Sequence, residues 1–135
     1  MSDASENLAN NKALVRRFWE AFSRSDFDTV MDLLADDVSW WVAGSTGISG
    51  TYDKAGLKEL FTNVAGGTKT GVRVTPTVMT AEEDRVAMEA LSEAETLDGK
   101  IYKNDYHFQH VIKDGKLAVV REYMDPEHVR EVFGV

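Results

Sequence analysis

Cysteine is absent from the 135 residues of this chain, which excludes disulfide bonds, a thiol nucleophile and thiolate metal ligands. No apolar run approaches the roughly 20 residues that a membrane-spanning helix needs, and the polar first ten residues lack the apolar stretch of a signal peptide. The sequence contains no HExxH zinc motif, glycine-rich phosphate loop or Ser/His/Asp arrangement. We therefore expect a cytoplasmic protein with neither a metal site nor a cofactor.

Basic residues are also few. The chain has 15 Lys and Arg against 23 Asp and Glu, a net charge of −8, whereas binding to nucleic acids or anionic membranes requires clustered basic residues. We therefore expect neither nucleic acid nor a membrane as a partner. A length of 135 residues with 43% hydrophobic content suits a single domain over residues 1–135, of which residues 1–8 are expected to be flexible.

Helices are predicted in the first half of the chain and at its end. Apolar residues recur at helical spacing over residues 11–24. Asp26 can cap a second, short helix, and Asp53 can cap a third that runs to about Ala65. Pro126 fits the first turn of a terminal helix over residues 128–133.

Strands are predicted in most of the remaining sequence. Alternating apolar and polar residues predict five strands, over residues 38–42, 72–79, 85–96, 101–112 and 117–124. Pro76 prevents a complete hydrogen-bond ladder in the second of these strands, which indicates a sheet edge or a bulge. The segment 44–51 is rich in Gly and Ser and is predicted as a loop. This order of elements predicts an α+β domain in which helices pack on one face of a curved antiparallel sheet.

The last two predicted strands read as a β-hairpin whose turn can form in two ways. A two-residue turn at Asp114 and Gly115 would set Phe108 opposite Arg121. A three-residue loop with Gly115 as a bulge would set Phe108 opposite Val120. We favour the second register because it pairs apolar residues in the middle of the hairpin.

The choice of register decides which residues face the interior, because a slip of one residue moves every side chain to the other face. The favoured register sets Tyr106 opposite Glu122. Its inner face consists of Asn104, Tyr106, Phe108, His110, Ala118, Val120, Glu122 and Met124. A face that mixes core residues with polar ones is typical of a small-molecule pocket.

Three stretches of the sequence together resemble a known family. They are NKALVRRFWEAF at residues 11–22, LADDV at 34–38 leading into Trp40, and DGKL at 114–117 followed by REYMD at 121–125. Their order and spacing resemble the nuclear transport factor 2-like superfamily, in its SnoaL-like or ketosteroid-isomerase-like branch. The resemblance implies a cone: a curved antiparallel or mixed sheet with three N-terminal helices on its concave face and a short C-terminal helix. It implies no single reaction, because this fold hosts isomerases, dehydratases, cyclases, epoxide hydrolases and binding modules.

The resemblance also implies which reactions to disfavour. Ketosteroid isomerases have an aspartate base just after the first strand, where this chain has no carboxylate, and the position similar to their oxyanion tyrosine is Phe18. Limonene-epoxide-hydrolase-like members use an Arg and an Asp on one strand and a further Asp on the last strand. The similar positions here are Glu89, Leu91 and Glu122. The resemblance therefore leaves general acid–base chemistry open, in the style of the SnoaL-like cyclases.

Glu122 is the strongest catalytic candidate. An apolar surrounding disfavours the charged form of a carboxyl group, which raises its pKa towards the range useful for proton transfer. Tyr106 and Asn104 on the same face are candidate donors to a substrate oxygen. The alternative is an exposed Glu122 with Arg121 facing inward.

Glu89 is the second carboxyl candidate, and its orientation depends on the loop at Asp98 and Gly99. A two-residue loop points Glu89 and Leu91 into the pocket. An odd-length loop points both into solvent and instead turns Met88, Ala90 and Ser92 inward. The sequence leaves the two arrangements equally open.

The remaining expectations concern the pocket walls and the opposite sheet face. The expected wall residues are Trp40, Phe18, Phe61, Leu91, Phe108, Val120, Met124 and His110. The outer face carries Trp41, His107, Gln109 and Tyr123, and aromatic residues grouped on an exposed sheet indicate a homodimer interface.

Two functions therefore remain open for a pocket that binds an apolar small molecule. The first is a cofactor-free isomerase, lyase or cyclase with Glu122, Tyr106, Glu89 and Asn104 as its catalytic residues. The second is a non-catalytic ligand-binding or dimerisation module. Whether Glu89 and Glu122 share one cavity discriminates between them.

Overall fold

The fold consists of one sheet and four helices in the part of the chain, residues 2–135, that a computed structural model describes. The strands are β1 (Leu34–Val42), β2 (Gly50–Tyr52), β3 (Arg73–Glu82), β4 (Arg85–Glu95), β5 (Ile101–Lys113) and β6 (Lys116–Tyr123). The helices are α1 (Ser2–Ser23), α2 (Phe27–Asp32), α3 (Lys54–Gly66) and α4 (Pro126–Phe133). None of these helices is long and apolar enough to cross a membrane.

The sheet is mixed, with the strand order β2-β1-β6-β5-β4-β3. β1 and β6 pair in parallel, and every other neighbouring pair is antiparallel. The predicted α+β class and the mixed sheet are confirmed. One strand was missed: β2 lies at the end of the segment predicted as a loop and pairs with the end of β1, with Tyr52 opposite Trp40.

The helices begin close to the predicted positions except at the N-terminus. α1 begins at Ser2 and not at residue 11, so residues 2–8, expected to be flexible, are helical. Met1 lies outside the described residues. Asp26 caps α2 by accepting a hydrogen bond from Thr29 N, and Asp53 caps α3 by accepting one from Gly56 N, as predicted.

The core lies between α1, α3 and the inner face of the sheet. Phe18 and Trp40 are fully buried, and Trp19 is nearly so. Their rings pack edge to face or tilted against one another, with centroids 5.0–5.9 Å apart. This aromatic cluster fixes the position of β1 beneath the first helix.

The edge strand β3 explains the position of Pro76. Because β3 is the last strand of the sheet, one side of it has no neighbour, and Pro can sit there without removing a ladder hydrogen bond. The pairing with β4 also shifts between Pro76 and Val78. Both features predicted from this proline, a sheet edge and a bulge, are confirmed.

The β5–β6 hairpin has the two-residue turn and not the favoured three-residue loop. Lys113 pairs with Lys116 around Asp114 and Gly115. The φ angles of the two turn residues are 52° and 74°, the left-handed geometry of the type I′ turn that Asp-Gly favours. The prediction of the turn was therefore wrong.

A β-bulge next to this turn shifts the register by one residue. Ile112 pairs with Leu117 but Val111 pairs with Val119, so Ala118 is left without a partner. The turn alone would direct Glu122 outward, and the bulge turns it back to the inner face.

The predicted pairing is corrected while most of the predicted inner face stands. Phe108 lies opposite Glu122, not opposite Val120, so Tyr106 is a diagonal neighbour of Glu122. Ala118, predicted on the inner face, is the bulge residue, and Leu117 is fully buried in its place.

Candidate functional site

A cavity of about 590 Å³ lies between the inner face of the sheet and the helices. Its walls come from the sheet, α1, α3, α4 and the loop before β2, and they are mainly apolar and aromatic. The aromatic residues of the wall are Trp19, Phe22, Tyr52, Phe61, Tyr102, Tyr106, Phe108 and Phe133. A cavity of this size and composition accommodates a small organic molecule.

Glu122 supplies a carboxyl group to this cavity. The parallel pairing with β1 places it beside Val42, and Trp40 Nε1 donates a 2.9 Å hydrogen bond to Glu122 Oε1. Burial raises the pKa of Glu122 from 4.5 to about 7, although the Trp40 bond acts in the opposite direction because it favours the charged form. Both protonation states are therefore populated near neutral pH.

Trp40 is itself held rigidly. Its side chain is fully buried, and the rings of Phe18 and Phe61 lie 5.7 and 5.4 Å from it, measured between centroids. Since the indole cannot move easily, the carboxyl oxygen that it bonds is fixed as well. The second oxygen, Oε2, has no hydrogen-bond partner among the described residues.

Two tyrosines form the other polar part of the wall. The hydroxyls of Tyr102 and Tyr106 lie 2.5 Å apart, and Asn104 Nδ2 donates a 3.0 Å bond to the Tyr102 hydroxyl. Burial raises the pKa of Tyr102 to about 12 and that of Tyr106 well above 10. Both hydroxyls are thus protonated at neutral pH and able to donate.

A third tyrosine, Tyr52, lines the cavity from the opposite side. Its hydroxyl donates a 2.6 Å bond to the carbonyl oxygen of Ile48 in the loop before β2. This bond uses the only proton of the hydroxyl, so Tyr52 contributes its ring to the wall while its hydroxyl proton is bonded to the loop and is not available to a ligand.

Two of the four predicted catalytic residues line the cavity: Glu122 and Tyr106. Asn104 does not line it. Its side chain is buried, donates to Asp125 O at 3.0 Å and accepts from Asp125 N at 3.1 Å. Asn104 thus ties the start of α4 to β5, and its only link to the cavity is the bond to Tyr102.

Glu89 and Leu91 lie on the outer face, so of the two arrangements that the sequence left open, the one that places them in the pocket as site residues is wrong. β4 pairs with β5 so that Glu89 lies opposite His107 and Leu91 opposite Asp105. The reason is the loop: Thr96 and Lys100 close an odd-length turn through Thr96 N to Lys100 O, 2.8 Å. Leu91 is 52% exposed.

Apart from Leu91 on the outer face, the predicted wall residues divide into two groups. Phe61 and Phe108 line the cavity. The others that face inward form the packed layer behind it and not its surface; they are Trp40, Phe18, Val120, His110 and the partly buried Met124.

His110 is a structural histidine. Trp19 Nε1 donates to His110 Nε2 at 3.1 Å, and His110 Nδ1 lies 2.9 Å from the carbonyl oxygen of Val86. An indole N–H can only donate and a carbonyl can only accept, so the proton of the neutral ring is on Nδ1. Burial lowers the pKa of His110 to about 4, which keeps the ring neutral.

Sequence reasoning missed Tyr52 and Tyr102 as wall residues. Tyr102 has the same strand parity as Asn104 and Tyr106, so its orientation could have been inferred by extending the inner face by two residues. Tyr52 could not be found in this way, because its position depends on β2, which was assigned to a loop.

No cluster of three or more His, Asp or Glu side chains is arranged to hold a metal ion within residues 2–135. Among the described residues that line the cavity, none is Lys, Arg or His. The arrangement therefore offers a ligand mainly apolar walls, the carboxyl group of Glu122 and a pair of tyrosine hydroxyls, with Glu59 and Asn63 also in the lining and no cation for an anionic group.

Comparison with known proteins gives a consistent result. A family model described as the SnoaL-like domain matches residues 15–124. No curated protein matches the chain at a significant level.

Solved structures share the fold. Bal32a, from a soil-derived mobile gene cassette, is 23% identical with a TM-score of 0.85, and the match covers 93% of this chain and 98% of that one. TerC, co-crystallised with polyporic acid, is 23% identical with a TM-score of 0.80, and the match covers 93% of this chain and 99% of that one. IdmH from Streptomyces antibioticus, a proposed polyketide cyclase, is 15% identical with a TM-score of 0.76 over 93% and 99%. At these identities the likeness is one of fold.

Proposed function

Since the chain belongs to the SnoaL-like domain family, as its sequence pattern predicted, we propose that its cavity binds an apolar small molecule and that Glu122 transfers a proton to or from it. The reaction class is a cofactor-free isomerisation, elimination or cyclisation. The observation that supports this most directly is the carboxyl group of Glu122 at the wall of a mainly apolar cavity, bonded at 2.9 Å to the buried indole of Trp40.

The chemistry follows from the pKa of that carboxyl group. With a pKa of about 7, Glu122 exists as acid and as base at neutral pH, which is the condition for efficient proton transfer in either direction. The oxygen that Trp40 does not bond is the one available to a substrate. The Tyr106 hydroxyl would stabilise negative charge that develops on a substrate oxygen.

The cavity also favours a class of substrate. An anionic ligand would meet the carboxyl group of Glu122 without a compensating cation, because none of the described wall residues is basic. We therefore propose a neutral, largely apolar molecule with at least one oxygen that accepts a hydrogen bond. Proteins of the same fold suggest where to begin: TerC was crystallised with polyporic acid and IdmH is a proposed polyketide cyclase.

The test is a comparison of two glutamate variants. Neutral aromatic and polyketide-like compounds are screened for binding through tryptophan fluorescence, to which Trp19 at the cavity wall contributes. Conversion of each bound compound is then followed by mass spectrometry for the wild-type chain, Glu122→Gln and Glu59→Gln. Glu59 is an exposed glutamate at the rim of the same cavity and serves as the control. We expect Glu122→Gln to abolish conversion while binding remains, and Glu59→Gln to leave both intact.

A non-catalytic ligand-binding function is the second candidate, and one observation favours it. Glu89 lies on the outer face, so Glu89 and Glu122 do not form a pair in which one carboxyl group acts as acid and the other as base. This alternative expects a bound compound to be recovered unchanged by the wild-type chain. Unaltered conversion in Glu122→Gln would contradict the catalytic role.

We also propose that the outer sheet face pairs two copies of this chain. The Arg121 guanidinium lies 4.0 Å from the centre of the Trp41 ring, and Arg121 Nε donates to the Tyr123 hydroxyl at 3.0 Å. Tyr123 is 41% exposed. This cation–aromatic cluster lies opposite the cavity, so a homodimer would leave the cavity accessible.

A further inference from the structure

We infer that a directed hydrogen-bond chain runs from Asn104 through Tyr102 to Tyr106 and leaves the proton of the Tyr106 hydroxyl free for a ligand oxygen. The Tyr102 ring is part of the wall, and its hydroxyl is then a positioning group that acts through Tyr106. This inference rests on the proposed function of the cavity as a small-molecule site. It concerns how that site distinguishes a ligand that accepts a hydrogen bond from one that donates.

The direction begins at Asn104, whose amide orientation is determined by its neighbours. Asp125 N–H can only donate, so the atom 3.1 Å from it is Asn104 Oδ1. The carbonyl of Asp125 can only accept, so the atom 3.0 Å from it is Asn104 Nδ2. The second hydrogen of Nδ2 is therefore the one that meets the Tyr102 hydroxyl at 3.0 Å.

The next step concerns Tyr102. Because its oxygen accepts a bond from Asn104, its own proton is available to a different acceptor. The nearest is the Tyr106 oxygen, at 2.5 Å. The Ser92 hydroxyl nearby is directed to the carbonyl of Asn104, at 3.3 Å. The Tyr102 ring cannot easily turn away, since it is stacked on His128, with interplanar angle 6° and centroids 5.3 Å apart.

The last step reaches the cavity. Tyr106 lines the cavity, and its ring is stacked on Phe108 at an interplanar angle of 8°, which fixes the direction of its hydroxyl. Among the described residues Tyr102 is the one that makes a hydrogen bond of good geometry to the Tyr106 hydroxyl, and the Ser92 hydroxyl, directed to the Asn104 carbonyl, is the other polar group that acts on it. If Tyr106 accepts from Tyr102, the Tyr106 proton has no partner in the protein and is presented to the cavity.

The opposite direction makes a different prediction. If Tyr106 donated to Tyr102, a ligand would meet only a lone pair at the Tyr106 oxygen, and the site would select donors. The two directions therefore differ in the sign of one effect. If Tyr102 donates to Tyr106, removal of the Tyr102 hydroxyl weakens binding of an acceptor ligand, because a donor that polarises Tyr106 is lost. If Tyr106 donates to Tyr102, the same change strengthens binding, because it frees the Tyr106 proton for the ligand.

The experiment uses Nile red, a neutral apolar dye whose carbonyl oxygen accepts a hydrogen bond. Its dissociation constant is measured by fluorescence titration for the wild-type chain and for Tyr102→Phe, which keeps the ring packed on His128. We expect Tyr102→Phe to weaken binding by up to about threefold, because the bond from Tyr106 to the dye remains and only its strengthening by Tyr102 is lost. Unchanged or tighter binding would overturn the direction of the chain.

A double-mutant cycle separates this effect from a general loosening of the cavity. In Tyr106→Phe the further change Tyr102→Phe should have no effect on Nile red binding, because Tyr102 acts through the hydroxyl already removed. Tyr52→Phe is the matched control, since Tyr52 lines the same cavity but donates to Ile48 O. Its effect should be the same with and without the Tyr106 hydroxyl. Equal effects of Tyr102→Phe on Nile red binding with and without the Tyr106 hydroxyl would contradict the proposed hydrogen-bond chain.

A measurement without ligand tests the hydrogen-bond chain separately from the proposed function. The chain has four tyrosines, so Cζ-labelled tyrosine gives a readable NMR spectrum. Tyr102→Phe should move the Cζ resonance of Tyr106 and leave those of Tyr52 and Tyr123 in place. Absence of Nile red binding to the wild-type protein would count against the proposed function alone. An unmoved Tyr106 resonance would overturn the proposed hydrogen-bond chain.

Discussion

The indole nitrogen of Trp40 lies 2.9 Å from Oε1 of Glu122, a contact between the two strands of the sheet that run in parallel, β1 and β6. This contact links the core to the cavity. The ring of Trp40 is fully buried among aromatic neighbours, while the carboxyl group of Glu122 stands at the cavity wall. The core thereby fixes the position of a carboxyl group whose pKa burial raises to about 7.

The first prediction concerns Trp40→Phe. This change keeps an aromatic ring in the core but removes the N–H that stabilises the charged form of Glu122. Since that bond lowers the pKa of Glu122, its loss should raise the pKa above about 7. The pH titration of the Glu122 carboxyl carbon by NMR measures this. A downward shift would contradict the assigned role of the indole.

The second prediction concerns stability at the site of Glu122. The folded chain binds this proton more tightly than the unfolded chain, because the folded pKa is about 7 and the ordinary value 4.5. The free energy of unfolding that Glu122 contributes is therefore fully present below pH 4.5 and is lost as the pH rises to 7. The loss amounts to about 3 kcal/mol.

Urea unfolding of wild type and Glu122→Gln between pH 4 and 8 tests this prediction. The variant lacks the titrating group, so the difference between the two chains should grow in favour of the variant as the pH rises. Glu59→Gln, at the rim of the same cavity, is measured alongside as the control. A constant difference across the pH range would mean that Glu122 titrates alike in the folded and unfolded chains.

The third prediction concerns His110. Burial lowers its pKa from 6.5 to about 4, so this group contributes stability that is lost as the pH falls through that interval. His110→Leu leaves the buried Trp19 N–H without its acceptor and should cost about 1–3 kcal/mol at pH 7. The cost should shrink towards pH 4.

His107→Leu is the matched control for this change, because His107 is an exposed histidine on the same strand. Chemical denaturation at pH 7 and pH 4 compares the two variants. Equal costs at both pH values would show that His110 does not need to stay neutral in the folded chain.

The fourth prediction concerns the proposed homodimer. Trp41→Glu places a charge in the middle of the outer cluster of Trp41, Arg121 and Tyr123, and should convert a species of twice 15.0 kDa to one of 15.0 kDa. Leu97→Glu is the control, since Leu97 is 65% exposed in the turn between β4 and β5, away from this cluster. Sedimentation velocity measures both variants. A monomeric wild-type chain would refute the interface.

The hairpin shows how far the sequence predicts this site. Asp114 and Gly115 were recognised as turn residues, but the bulge at Ala118 leaves no mark in the sequence, because a bulge residue is chosen by the packing of both strands. The wrong turn length and the missed bulge each shift the register by one residue, so their effects on which face Glu122 occupies cancel. Glu122 faces inward because a two-residue turn and a bulge together have the parity of the predicted loop.

Glu89 shows the limit of the same reasoning. Its strand alternates well enough to predict two faces, but which face is buried depends on the loop that closes the hairpin. The side chain of Thr96 accepts from Lys100 N and bonds Asp98, which stabilises the odd-length loop. Three glutamates on one face of β4 agreed with an outer face, while the resemblance to related proteins did not.

The walls of the cavity were harder to predict than its polar residues. Apolar residues of a core and of a cavity have the same pattern in the sequence, and only the relative position of helices and sheet separates them. Phe61 and Phe108 reach the cavity surface, whereas Phe18 and Val120 fill the layer behind it. The contribution of α4 also depends on tertiary packing, through the bonds of Asn104 to Asp125.

The measurement that tests the central claim most directly is the titration of Glu122 itself. The carboxyl carbons of glutamate are labelled with ¹³C, the Glu122 resonance is identified by its absence in Glu122→Gln, and its shift is followed from pH 3 to pH 9. We expect a midpoint at about pH 7, caused by burial in the apolar cavity. A midpoint at the ordinary value of 4.5 would show that water solvates this carboxyl group, and proton transfer by Glu122 as described here would be contradicted.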